Sequence, residues 1–370
     1  MLYNVDEAAH QLEEFNSHNI MLSMVSGDRY RYTVFALGVM PYIMSSLIIL
    51  VFMFIRGAEY RSRFSPRKME RYTLITMLVI AVVSAVSRAN ELIFKESRLG
   101  VPILKVIAVI EMVAGAALIY KMVDLNREHG IGMQTPIILI NIVDNFISTI
   151  RKSTWEQLQK PMVLCLVMAA VILIMENVII RIPVQRVSIH NIYADKSYIA
   201  FKLDPIGVMP VMFAASFFMI LHYIVCFILI VLKSHGTLQL VYDNWSLTNP
   251  VGAAIYLMII FMLNMAFSFI MLSPGQMSEQ LQKTGDSIVN VYAGKKTKWY
   301  LRRKLLLLAL TSGCVLCLMM GVSLGMSLTG GIVPDLALFP TTGMILVGLL
   351  YPLYREVKAY WRFDSYSFFI

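Results

Sequence analysis

Nine stretches of mainly apolar residues, each near the roughly 20 that a helix needs to cross a bilayer, decide what this chain can fold into. They run at about 33–55, 72–94, 102–120, 134–150, 161–180, 205–232, 251–272, 305–325 and 336–354. The fourth is short and carries Asn141, Asp144 and Asn145. Hydrophobic residues make up 58% of the 370 positions and charged residues only 15%. A soluble domain of this size needs far more polar surface, so the bilayer is the solvent that suits the chain. The pattern predicts an all-α integral membrane protein with about nine transmembrane helices.

The formal net charge of +9 is placed unevenly. Of 32 Lys and Arg residues, 22 lie in the segments that follow the first, third, fifth, seventh and ninth spans. Basic loops stay in the cytosol, so the C-terminus is expected there and residues 1–32 outside. That N-terminal segment is polar, with Asp6, Glu7, Glu13 and Glu14, and shows no signal peptide. A further helix upstream of residue 1 is therefore expected.

Reactive chemistry is not indicated. Cys165, Cys226, Cys314 and Cys317 all sit in apolar runs, and the CxxC of the last two has no other ligand near it, so they read as packing residues. The six histidines are scattered, and neither a nucleophile–base pair nor a phosphate loop appears. The sequence thus predicts no enzyme, no cofactor and no metal. Glu111 and Asp144 lie in or near spans, where charge is costly; walls of a wet cavity suit them.

One tetrapeptide occurs twice: Gly-Val-Met-Pro, at Gly38–Pro41 and at Gly207–Pro210. Small residues follow each copy, Ser45 and Ser46 in one, Ala214, Ala215 and Ser216 in the other. By the charge count the two helices run in opposite directions, the pattern of an inverted-topology repeat. Glycine and proline break helices, and broken backbone at membrane depth is tolerated where it is buried in protein or lines water.

The same segments resemble SecY, the pore subunit of the bacterial protein-export translocase. TVFALGVMPYIMSS at 33–46 is similar to the family's IFALGIMPYISAS, and RKMERYTLITMLVIAVV at 67–83 to the entry of its third helix. REHGIG at 127–132 resembles ERGIG, and RIPVQ at 181–185 follows the sixth helix as in the family. FKLDPIGVMPVMFAAS at 201–216 resembles LKVNxAGVIPVIFASS, and residues 273–301 are similar to the large cytosolic loop before the ninth helix. NVDEAAHQLEEF at 4–15 and NIMLSMVSGDRYRY at 19–32 look like the segment after the first SecY helix and the plug.

The resemblance implies two inverted halves around a central pore: an N-terminal half at 1–150, a hinge loop at 151–159 and a C-terminal half at 160–370 ending in a cytosolic tail. By motif position, the apolar pore ring would be Val39, Ile43, Thr135, Leu139, Met212 and Leu346. Thr135 falls where the family has a bulky aliphatic residue. The lateral gate would be built around Gly38, Pro41, Gly207 and Pro210. The loops 181–204 and 273–304, with Arg181, Arg186, Tyr292, Lys295, Lys296 and Lys298, would dock a SecA-like motor ATPase or the ribosome. Tyr292 stands where the family carries an arginine. A SecE-like small membrane subunit, an unfolded secretory polypeptide and the lipid bilayer complete the implied partners. The departures at Thr135 and Tyr292 suggest a divergent paralogue, for which the accessory Sec system of Gram-positive bacteria is the nearest idea. Inverted repeats also serve secondary transporters of small solutes, for which Asn141, Asp144 and Asn264 are the candidate polar residues, and an inactive homologue is a third reading.

Overall fold

The computed structural model describes residues 33–56, 65–92, 94, 100–132, 134–185, 198–215, 217, 218, 221, 225, 247, 249–292, 294–331 and 336–366. The plug-like segment 1–32, Arg186 and most of the span 205–232 lie outside these residues. The helices are α1 (Met40–Arg56), α2 (Pro66–Glu91), α3 (Val101–His129), α4 (Thr135–Lys152), α5 (Trp155–Asn177), α6 (Pro250–Leu272), α7 (Pro274–Thr284), α8 (Lys295–Leu328) and α9 (Phe339–Tyr366). Three short strands join them: β1 (Ile179–Gln185), β2 (Tyr198–Lys202) and β3 (Ser287–Ile288).

Proline sets many of the helix starts. It lies in the first turn of α2, α3, α4, α6 and α7, where its missing N–H costs no helical bond and its fixed φ already suits the helix. Five helices among the described residues are long and apolar enough to cross a membrane: α2 over Arg67–Ala89, α3, α5, α6 with its continuation α7, and α8. The apolar part of α1 is shorter. The fourth and ninth runs do form helices, α4 and α9, but neither joins that group. In α4 the polar Asn141, Asp144 and Asn145 interrupt the run, and α9 continues past its apolar stretch into Arg355, Glu356, Lys358 and Arg362.

Two compact units emerge, one with the described residues up to Met162 and from 336 onward, the other with those from Val163 to 331. They are a different partition from the two sequence halves, because α9 belongs with the first unit. The cut falls inside α5 beside Pro161, which cannot donate to the carbonyl one turn back. The expected hinge at 151–159 is irregular only at Ser153 and Thr154. Ser153 Oγ closes α4 by donating to the Thr149 carbonyl, and the Thr154 carbonyl opens α5 by accepting from Gln157 and Leu158 N–H.

In the first unit α1, α2 and α3 pack together on small residues. Ala81, Ala85 and Ala89 lie on one face of α2 and meet Ala108, Met112 and Ala116 of α3 and Ala36 and Leu37 of the segment before α1. Lipid tails are as apolar as side chains, so such seams gain their energy from close approach. Gly115 shows how close: a Cβ there would lie 2.0 Å from the Val34 carbonyl oxygen. α4 packs on α9, with Phe146 stacked on Phe339 at 4.7 Å.

In the second unit α6 lies along α8. Asn264 of α6 donates to the Ala309 carbonyl at 2.8 Å and to Ser312 Oγ at 2.9 Å, both on α8. The loops read from the sequence as cytosolic contain an antiparallel sheet in the order β2-β1-β3, with Ile179 opposite Lys202 and Val184 opposite Ile288. Its buried Ile182, Phe201 and Ile288 rest on Leu301 and Leu308 near the start of α8.

Candidate functional site

The two Gly-Val-Met-Pro copies fold the same way. Gly38 and Gly207 both take left-handed backbone, with φ of 54° and 70°. The helix begins at the methionine two residues on, Met40 in one and Met209 in the other, so proline falls in the first turn of each. The valine carbonyl between them receives the first helical bond: Ile43 N–H donates to Val39 at 3.1 Å, and Met212 N–H to Val208 at 3.3 Å. Both valines are buried, as are Gly38, Pro41, Gly207 and Pro210, the four residues expected at the lateral gate. A non-glycine residue at either glycine would meet the left-handed penalty of about 1–2 kcal/mol.

Opposite charges hold the two turns. Arg88 of α2 donates from Nη1 to the Ala36 carbonyl at 2.7 Å, two residues before Gly38. At the second copy, Asp204 Oδ1 accepts from Gly207 N–H at 3.1 Å and Ile206 N–H at 3.4 Å. Behind it lies Glu176, near the end of α5, whose Oε2 accepts from Lys202 Nζ of β2 at 2.6 Å. The other glutamate oxygen would stand 2.8 Å from a Cβ on Gly207, so glycine is required there for space as well as for φ. Glu176 and Asp204 are 3% and 1% exposed, and Asp204 Oδ2 has no hydrogen-bond partner. Burial pushes the Asp204 carboxyl up to about 7 against the pull of its two backbone N–H bonds, with Glu176 adding to the rise.

The expected ring residues divide between the units. Val39 and Ile43 at the head of α1, Thr135 and Leu139 at the head of α4, and Leu346 on α9 belong to the first, and Met212 to the second. Val39, Ile43, Leu139 and Met212 are buried; Thr135 and Leu346 are half-buried. Within the first unit, Tyr42 Oη donates to Gln134 Oε1 at 3.2 Å and ties α1 to the start of α4. Thr135 is the first residue of α4, its N–H given to the Gly132 carbonyl, so its small side chain suits a tight entry.

The expected docking residues that are described are all exposed. Arg181 lies over the Tyr198 ring at 4.8 Å across β1 and β2, and Lys296 over Tyr292 at 4.6 Å. Tyr292, Lys295, Lys296 and Lys298 are exposed at the base of α8, and Arg303 over Trp299 continues the basic and aromatic surface. Of the polar residues considered for a solute site, Asn141 and Asp144 are half-buried on α4 in the first unit, while Asn264, in the second, spends its amide hydrogens on α8. Sequence reasoning missed Arg88, Glu176, Lys202 and Asp204 as holders of the turns. The signal was weak: an acid at the end of one apolar run and a Lys-x-Asp before the next glycine turn.

Comparisons agree with this architecture. Over 93% of its length the chain superposes on 84% of a solved structure described as that of a protein conducting channel, with a TM-score of 0.63 at 14% identity. A second solved structure, concerning the plug domain of the SecY protein in the closed channel, gives 0.57 over 92% of this chain and 89% of that one, also at 14% identity. Among curated proteins, the accessory Sec system protein translocase subunit SecY2 of Streptococcus sanguinis is 26% identical over 94% of this chain and 87% of its own length. The protein of the same description from Leuconostoc gelidum is 26% identical over 97% and 90%. The SecY family model matches residues 33–354, nearly everything from the first glycine turn to the last helix, and the chain belongs to the SecY family.

Proposed function

We propose that this chain is the pore subunit of a specialised, accessory-type protein translocase, a channel that passes unfolded polypeptides across the cell membrane or sideways into it. The observation that carries the reading is the pair of glycine turns at Gly38 and Gly207, alike in φ, in helix start and in first hydrogen bond, inside a chain that matches SecY over 33–354. In this reading the two turns begin the helices of the lateral gate, and the halves are inverted repeats that rock apart to open it. Val39, Ile43, Thr135, Leu139, Met212 and Leu346 form the ring. A narrow apolar ring holds back ions by making their hydration costly, and contacts a passing chain without preferring a sequence.

No bond chemistry is assigned to the channel itself; a partner supplies the energy. The strands β1 and β2 and the base of α8 offer Arg181, Lys295, Lys296 and Lys298, a basic surface for a SecA-like motor with acidic patches or for ribosomal RNA. A SecE-like small membrane subunit clamps the assembly, and the C-terminus faces the cytosol, a reading supported by the excess of Lys and Arg in the loops on that side.

Site-specific photocrosslinking in membranes tests the reading. Probes at Ile43 and Met212, with a control at the exposed Leu318 of α8, are challenged with a stalled, signal-bearing secretory chain. Crosslinks at Ile43 and Met212 but not at Leu318 are expected. A folded protein that gives none at either pore position refutes the channel reading.

A further inference from the structure

The second glycine turn is enclosed by charges that also belong to the docking hairpin, and this joins two regions that the family reading treats separately. Lys202 is the last residue of β2, and its backbone pairs with Ile179 at the start of β1. Its ammonium holds Glu176 at 2.6 Å, on the last turn of α5. The free oxygen of that carboxylate faces Gly207, close enough to exclude a Cβ. Asp204, two residues after Lys202, fixes the amides of Ile206 and Gly207. The backbone adds one more tie, Leu203 N–H to the Val178 carbonyl at 2.9 Å. The hairpin, the end of α5 and the start of the helix at Met209 therefore meet at one buried point.

We propose that Glu176, Lys202 and Asp204 are positioning residues that form a latch, through which engagement of the β1–β2 hairpin sets the position of the gate helix beginning at Met209. The proposal rests on the channel reading above. Its mechanics follow from the charges. Glu176 pairs with the one ammonium, while the buried Asp204 carboxyl, bound only by backbone N–H groups, stands near both. With Asp204 protonated, Glu176 and Lys202 form a neutral pair and the Gly207 turn is held. When Asp204 ionises, the two acids repel, and the hold on Glu176 loosens. Displacing Lys202 by a load on the hairpin has the same effect, because Glu176 then loses its partner while still buried. The groups facing Asp204 are Glu176 from α5 and Lys202 from β2. At the first glycine turn the Ala36 carbonyl is held by a guanidinium instead, a charge that does not titrate.

The latch predicts behaviour that a merely structural cluster does not. The full translocase, reconstituted in vesicles with its motor, is assayed for transport of a signal-bearing polypeptide and for ion leak at rest, across roughly pH 6–8, one unit either side of the Asp204 value. Wild type is expected to transport faster toward the alkaline end. Asp204→Asn, which resembles the protonated acid, should transport at the slow, acid-side rate with a flat profile. Lys202→Met and Glu176→Gln should each raise the resting leak, on the order of tenfold, which is the change carried by about 1.4 kcal/mol. The exchanged pair Glu176→Lys with Lys202→Glu should bring the leak back toward wild type, which no generic loss of packing would do. Unchanged leak and an unchanged pH profile in all four variants, with Met212 crosslinks to the passing chain intact, overturn the latch and leave the channel reading standing. Failure of the exchanged pair to restore the seal, with the protein folded, also overturns it. Absence of Met212 crosslinks in wild type removes the channel reading and the latch together.

Discussion

Replacing Gly207 by alanine separates two costs that one residue carries. The first is conformational: φ is 70°, and an L-residue held there is penalised by about 1–2 kcal/mol. The second is spatial. The new methyl would stand 2.8 Å from Glu176 Oε1, so the carboxylate must swing away from Lys202. Breaking a fully buried ion pair costs about 3–5 kcal/mol, but Lys202 is 39% exposed at its side chain, so about 1–2 kcal/mol is the appropriate share. The total is about 2–4 kcal/mol. Gly285 provides the control. It closes α7 at a φ of 75°, and nothing lies within 4 Å of where its Cβ would be, so Gly285→Ala carries the backbone cost alone. Domains of 150–250 residues lose roughly 2–4 °C of Tm per kcal/mol, and a longer chain loses somewhat less. In detergent, Gly285→Ala should lower Tm by about 2 °C and Gly207→Ala by about 5 °C. Equal shifts for the two variants would refute the claim that Glu176 packs against the turn.

Other positions give further expectations. Gly115→Ala should be the most damaging small substitution in the first unit, on the order of 3 kcal/mol by thermal melting, because its Cβ would meet backbone at Val34, while Gly321→Ala, whose Cβ would make an ordinary contact with Leu257, should melt like wild type. Asn264→Leu should cost about 1–2 kcal/mol through the two lost bonds to α8, measured as a lower Tm at constant expression. Asp204 links stability to pH. Its folded-state value near 7 lies above the roughly 3.9 of an unfolded aspartate, so the folded state binds the extra proton. The stability it contributes is full below about pH 4, is lost as pH rises through about 7, and spans at most about 4 kcal/mol. Tm should therefore be higher at about pH 5 than at about pH 8, and Asp204→Asn should remove that difference.

Much of this was legible in the sequence because membrane helices announce themselves by length and polarity alone. Proline at 66, 102, 136, 250 and 274 marks where helices begin, and the repeated Gly-Val-Met-Pro marks two turns that the structure shows to be alike. The strands were hidden. IIRIPVQ and YIAFK are short, lie beside apolar spans and pair across an intervening segment, so local pattern reads them as basic loop. The charges around Gly207 were hidden for a related reason: Glu176 and Lys202 are 26 positions apart, and only the antiparallel register that sets Ile179 against Lys202 brings them together. Arg88, inside an apolar run, is a misfit for its span until the Ala36 carbonyl it serves is seen.

The length of α8 has a mechanical meaning. Its 34 residues make a rod of about 51 Å, while the hydrocarbon of a bilayer is only about 30 Å thick. Roughly the first dozen residues, with Lys295, Lys296, Lys298, Arg302, Arg303 and Lys304, therefore stand in water while the rest is sunk in lipid, and no proline or irregular turn separates the two parts. The sheet rests on the wet end at Leu301, and Asn264 grips the same rod lower down, at Ala309 and Ser312. A push delivered at the wet end is thus not absorbed by a joint: it arrives at α6 as a tilt or a shift of the whole lever, with the headgroup layer as its fulcrum.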